Sequence, residues 1–77
     1  MKIVVVEWTD TTGHSDWVCR EDALRQDIVH MTSVGFLVQN TKDMVQIAQT
    51  VGVGDDTMSN TLLIPKRCVS SIKRIEY

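Results

Sequence analysis

The amino-acid sequence predicts a small, mainly β domain in which about five strands, with one short helix after the first strand, close into a barrel. Three observations carry that expectation. β-Branched and other apolar residues come in short runs, at 3–8, 31–39, 44–51 and 61–64, too brief for free-standing helices and well suited to strands. Turn-forming polar residues and glycines separate the runs, at 9–16, 40–43 and 52–60. Only one stretch, 19–26, has the composition of a helix. With 77 residues the chain has room for one hydrophobic core, so 1–77 reads as one domain.

The first strand is Ile3-Val4-Val5-Val6-Glu7-Trp8, whose continuous β-branched run implies burial on both sides for part of its length. Residues 9–16 then read as an exposed polar loop, with His14 within it, and Trp17-Val18 as the return to the core. The helix candidate follows at 19–26. Glu21 and Asp22 fall in its first turn, where they favour the positive end of the helix dipole, although Cys19 offers no good cap. Two turns cannot stand alone, so Val18, Ala23 and Leu24 are expected to dock on a sheet.

From Met31 the strand signal resumes, with Val34, Phe36 and Val38 on one face and Ser33, Gly35, Leu37 and Gln39 on the other. Asn40-Thr41-Lys42-Asp43 is a hairpin turn. The run from Met44 to Val51 alternates, with Val45, Ile47 and Val51 on one side, and should pair antiparallel with the strand before it. Gly52 to Asn60 reads as the longest loop, its glycines permitting positive φ. Thr61-Leu62-Leu63-Ile64 is a short strand ended by Pro65. The three-residue recurrence of Val69, Ile72 and Ile75 fits a 3₁₀ turn leading into a last short strand. An order of strand, helix, three strands, turn and strand suggests a bent sheet closed as an SH3-like or Sm-like barrel, an arrangement that removes exposed edges.

Composition is that of an ordinary globular protein: 43% hydrophobic and 23% charged. The formal net charge of −2 argues against a domain built around a nucleic-acid backbone. The basic residues are uneven, however, with Lys66, Arg67, Lys73 and Arg74 near the end of the sequence. They read either as a solvated strand edge or as an anion-binding lip, because Lys and Arg beside a fixed turn can hold a phosphate or an acidic partner. The start of the sequence has only four apolar residues between Lys2 and Glu7 and does not resemble a secretory signal. Cys19 and Cys68 are accordingly expected as free, buried thiols in a cytoplasmic protein, and no run is long enough to span a membrane. Without disulfide or metal, a core this small favours self-association as the route to further stability.

No catalytic residues are expected. His14-Ser15-Asp16 are neighbours on a loop, whereas a triad is assembled from distant segments. His14, His30, Cys19 and Cys68 lack metal-ligand spacing, and no cofactor is implied. Gly52-Val53-Gly54-Asp55 lacks the Gly-Lys-Ser/Thr ending of a phosphate-binding loop and precedes no helix. The candidate ligand-binding residues are Trp8 and Trp17 as stacking walls, Asp55 within the 52–60 loop as part of a lid, and Lys66 with Arg67 as anion contacts.

Val6-Glu7-Trp8-Thr9-Asp10, Trp17, Glu21-Asp22-Ala23-Leu24, Ser33-Val34-Gly35-Phe36-Leu37-Val38, Ile47-Ala48-Gln49-Thr50 and Ile64-Pro65-Lys66 with Ile72 and Ile75 together resemble small proteins encoded by tailed phages and prophages. The resemblance runs over nearly the whole chain. It implies a virus-encoded accessory protein of the bacterial host cytoplasm, homo-oligomeric, that binds or traps a host defence component. That component would be a host protein or a small anionic ligand such as a nucleotide signal. The alternative is a nucleic-acid-associated barrel, since Gly35-x-Leu37 followed by Asp43 is similar to the first motif of Sm-like proteins. Here Thr41 stands where that motif has its aspartate and Asp43 where it has its asparagine, and Pro65-Lys66 replaces the arginine-glycine pair of the second motif. Nucleic acid is therefore not the expected partner.

Overall fold

A computed structural model describes residues 1–10 and 17–75. The β-branched start of the chain forms β1 (Ile3–Asp10), followed by α1 (Arg20–Ala23), β2 (Val29–Asn40), β3 (Met44–Val51), β4 (Met58–Pro65), a 3₁₀ turn (Lys66–Cys68) and β5 (Val69–Arg74). Among the described residues these strands make one antiparallel sheet in the order β4-β3-β2-β1-β5. Alternation along the strands sends Val4, Val6, Val45, Ile47 and Ile64 to one face, where they are buried together. Trp8, Leu37, Cys68, Val69 and Ile72 pack around them.

The mainly β expectation holds, and the barrel does not close. β4 and β5 lie at opposite edges of the sheet with no pairing between them. The 3₁₀ turn spans from one edge to the other and places Cys68 against the core. A three-residue connection can do this only because the sheet is strongly bent, helped by irregularities at Glu7/Trp8 and at Leu37/Gln39. The turn precedes Val69, so the three-residue recurrence from Val69 to Ile75 marks β5 itself, up to Arg74, rather than the turn.

Gly35 is a packing requirement. A Cβ there would lie 2.9 Å from the Ala48 carbonyl oxygen and 3.2 Å from Ile47 Cβ, so only glycine lets β2 and β3 approach this closely. Gly35 is buried while its neighbour Val34 is 56% exposed, which makes the Ser33, Gly35 and Leu37 side of β2 the core face. β4 begins at Met58, so Met58, Ser59 and Asn60 are strand rather than loop. Polar exposed residues at a sheet edge need no hydrophobic alternation, which is why the strand start was hidden.

The largest correction concerns residues 17–32. All of them are exposed. Trp17 and Val18 do not return to the core, Cys19 is an exposed free thiol, and Leu24 is 75% exposed. α1 is a single turn without a side-chain N-cap, and none of its residues is buried. Its Arg25–Glu21 ion pair, 3.0 Å across one turn, contributes only about 0.3–0.5 kcal/mol at an exposed site. Residues 11–16, including His14, and Tyr77 lie outside the described residues.

β2 is long enough to serve two partners. It pairs with β1 from Val29 to Phe36, but with β3 only from Phe36↔Ala48 to Asn40↔Val45. Beyond Phe36 the β1–β2 ribbon therefore leaves the β3–β4 ribbon, and the two splay apart as an arm and a body. The radius of gyration is 15.9 Å and the longest dimension 53 Å. A compact chain of this length would have a radius of gyration of about 11.5 Å.

Candidate functional site

Pro65 holds the end of β4 with φ −58°, and Lys66 leaves it toward the β2–β3 turn. The Lys66 backbone N–H donates to the Asp43 carbonyl at 2.8 Å. Its ammonium donates to the side-chain oxygen of Asn40 and to the Thr41 carbonyl, the latter at 3.3 Å. Thr41 Oγ1 in turn accepts from the N–H groups of Asp43 (3.2 Å) and Met44 (3.1 Å), which fixes the turn as an ST motif. Lys66 is thus a tether between two turns. Arg67 differs: it is exposed and has no ion pair or hydrogen bond among the described residues, so its guanidinium is the donor of the two that is open to an anion.

Asp55 lies in the loop before the other end of β4, a strand whose seven steps from Met58 to Pro65 span about 23 Å. Its Oδ1 accepts from Thr57 Oγ1 at 2.7 Å and from Thr57 N–H at 3.2 Å. The Thr57 hydroxyl, and then its N–H, hold the Asp55 carboxyl below its ordinary value of 3.8. Gly52 makes room for this arrangement, since a Cβ there would sit 2.0 Å from Asp55 Oδ1. Asp55 therefore caps its own loop, and the structure does not bring it to Lys66 and Arg67.

The two tryptophans are not brought together either. Trp8 is half-buried against the core, opposite Met31 and Val69, and its Nε1 donates to Ser33 Oγ at 3.0 Å. Trp17 is fully exposed.

A further feature lies where the ribbons part. Ser33, Val34, Ile47, Gln49, Asn60 and Leu62 line an open depression of about 290 Å³. Asn60 adopts a left-handed conformation (φ 53°), uncommon inside a strand, and its amide donates to Gln49 Oε1 at 2.9 Å. The lining holds hydroxyl, amide and aliphatic groups and no charge, which suits a neutral, hydrogen-bonding occupant. Its residues sit on three strands as isolated neutral polar or aliphatic positions; only Asn60, in a stretch read as loop, carried any local signal.

Among the described residues no group of three His, Cys, Asp or Glu side chains converges as for a metal ion. Among the described residues no helix is long and apolar enough to cross a membrane. No family model, curated protein or solved structure matches the chain.

Proposed function

We propose that the protein is a non-enzymatic binding protein that works as a homo-oligomer. The observation that supports this is surface. The protomer exposes 6182 Å², about 1,400 Å² more than the roughly 4,700 Å² expected of a compact chain of its mass. A standard interface removes about 800 Å² from each partner, and obligate ones remove more. The surplus matches what association removes, and residues 17–32, with Trp17, Val18, Leu24, Ile28, Val29 and Met31 exposed, are where apolar surface awaits cover.

The resemblance to phage proteins supports a bacterial host component as the target, either a protein or a nucleotide-like anion. For an anion, Arg67 beside the tethered Lys66 is the available contact. Sedimentation velocity at low micromolar concentration tests the oligomer, and native mass spectrometry of protein purified from a bacterial host reports retained small molecules in the same measurement. A complex heavier than the 8.7 kDa chain is expected. An 8.7 kDa species throughout would remove the reading.

A further inference from the structure

We infer that the second copy docks on the inner edge of β2, so that two arms pair antiparallel about a twofold axis at Thr32 and each enters the cleft of the other molecule. This rests on the homo-oligomer reading and assigns its interface. The register identifies the free groups. Leu37 N–H donates to the Lys2 carbonyl at 2.8 Å. With the pairing unbroken down to Val29 and Asp10, the odd-numbered residues of this half of β2 turn their backbone groups to β1. His30, Thr32 and Val34 turn theirs the other way, and β3 pairs with β2 only from Phe36 onward. Among the described residues no strand occupies that side.

Three consecutive outward N–H and C=O pairs form a template for a strand. A twofold axis at Thr32 sets His30 of each copy opposite Val34 of the other and Thr32 opposite itself, giving six main-chain hydrogen bonds with every residue in an equivalent place. The other two edges fit less well. β5 carries Lys73 and Arg74, charges that repel a second copy of themselves. β4 is interrupted by the left-handed Asn60 and ends in Pro65. The β2 segment Val29–Val34 has no Asp, Glu, Lys, Arg or Pro and leaves Val29, Met31 and Val34 exposed.

Antiparallel pairing also sends the tip of each arm toward the base of the other molecule's cleft. Trp17, Leu24 and Ile28 would arrive beside Val34 and Leu62, covering the two apolar surfaces the protomer leaves open. The surplus of about 1,400 Å² per copy exceeds the roughly 800 Å² a stable dimer removes from each partner.

The test is site-directed crosslinking in a Cys19→Ser background, with Thr32→Cys compared against Thr61→Cys on β4 and Lys73→Cys on β5. Mild oxidation should convert the bulk of the Thr32→Cys protein to a covalent dimer and leave the other two monomeric on denaturing gels. Thr32→Pro should keep the β-sheet circular dichroism spectrum, since its N–H faces no strand of its own protomer, yet sediment as a protomer. A wild-type monomer defeats both the oligomer reading and this interface. A wild-type oligomer that crosslinks through Thr61→Cys or Lys73→Cys but not Thr32→Cys, or a folded Thr32→Pro that still dimerises, overturns the interface alone. If Thr32→Pro fails to fold, the crosslinks decide.

Discussion

Replacing Gly35 by alanine adds one methyl at the point where β2 and β3 first meet. The methyl would lie 2.9 Å from the Ala48 carbonyl oxygen and 3.2 Å from Ile47 Cβ. Neither can swing aside, because Ala48 is held by pairing to both Phe36 and Thr61, and Ile47 is 4% exposed within the core. Overpacking of this kind costs about 1–3 kcal/mol. Loss of glycine's unfolded-state freedom returns about 0.5–1 kcal/mol. A net destabilisation of about 1 kcal/mol lowers the melting temperature of a domain this size by about 4–8 °C. Association makes melting concentration-dependent, so variant and wild type must be compared at equal protein concentration, by circular dichroism. A Gly35→Ala protein that melts at or above wild type would refute the close approach of β2 to β3.

Lys66→Met should lower stability by about 0.5–1.5 kcal/mol through loss of its bonds to Asn40 and Thr41, whereas Arg67→Ala should stay within about 0.5 kcal/mol; paired chemical-denaturation curves separate the two. If an anion binds at this lip, Arg67→Ala should weaken it in titration calorimetry while melting normally. Ser33→Ala should cost about 0.5–1.5 kcal/mol and alter Trp8 emission, read in a Trp17→Phe background. In the complementary Trp8→Phe protein, Trp17 emission should shift to the blue as concentration rises and association covers the ring; an unchanged spectrum would place Trp17 outside any interface. Folding depresses the Asp55 carboxyl, so its cap is complete above its ordinary value of 3.8 and is lost as pH falls through the lower folded value. The protection of the Thr57 amide, its exchange rate taken relative to that of an unstructured chain at the same pH, should fall across that window in wild type and show no such step in Asp55→Ala.

Strands with a buried face announced themselves. The run from Ile3 onward and the alternation of Met44–Val51 follow from the packing of β-branched residues on a pleated surface, and both strands appear where those residues lie. Strands at an edge did not, because Met58, Ser59 and Asn60 meet solvent and no core selects their side chains. Residues 17–26 misled for a different reason. Apolar residues there signal burial, but within one protomer they have nothing to be buried against. Of the candidate site residues, the fixed exit of Lys66 from Pro65 was legible from proline chemistry. That Lys66 tethers the turn depends on the β3–β4 register, which local composition does not encode, whereas the Asp55 cap on Thr57 is a contact two residues along the chain that belongs to the loop's own Asp/Thr chemistry.

β1 sits between β2 and β5, and its two partners reach it at different times. β2 follows after one connection, whereas Ser71, which donates to Glu7 across the other edge, is 64 positions along the chain. At about 5–20 residues per second a ribosome needs roughly 3–13 s to supply that stretch. Until then the valine-rich β1 lies with one side unpaired, the condition under which nascent strands find wrong partners. Pairings this distant also slow the search for the native state. The 3₁₀ turn shortens the last step, because once β4 has joined the meander it delivers Val69 to Trp8 within three residues. The β1–β5 clasp is thus the pairing whose second strand is synthesised last, and it is the contact on which the valine-rich first strand relies to cover its other side.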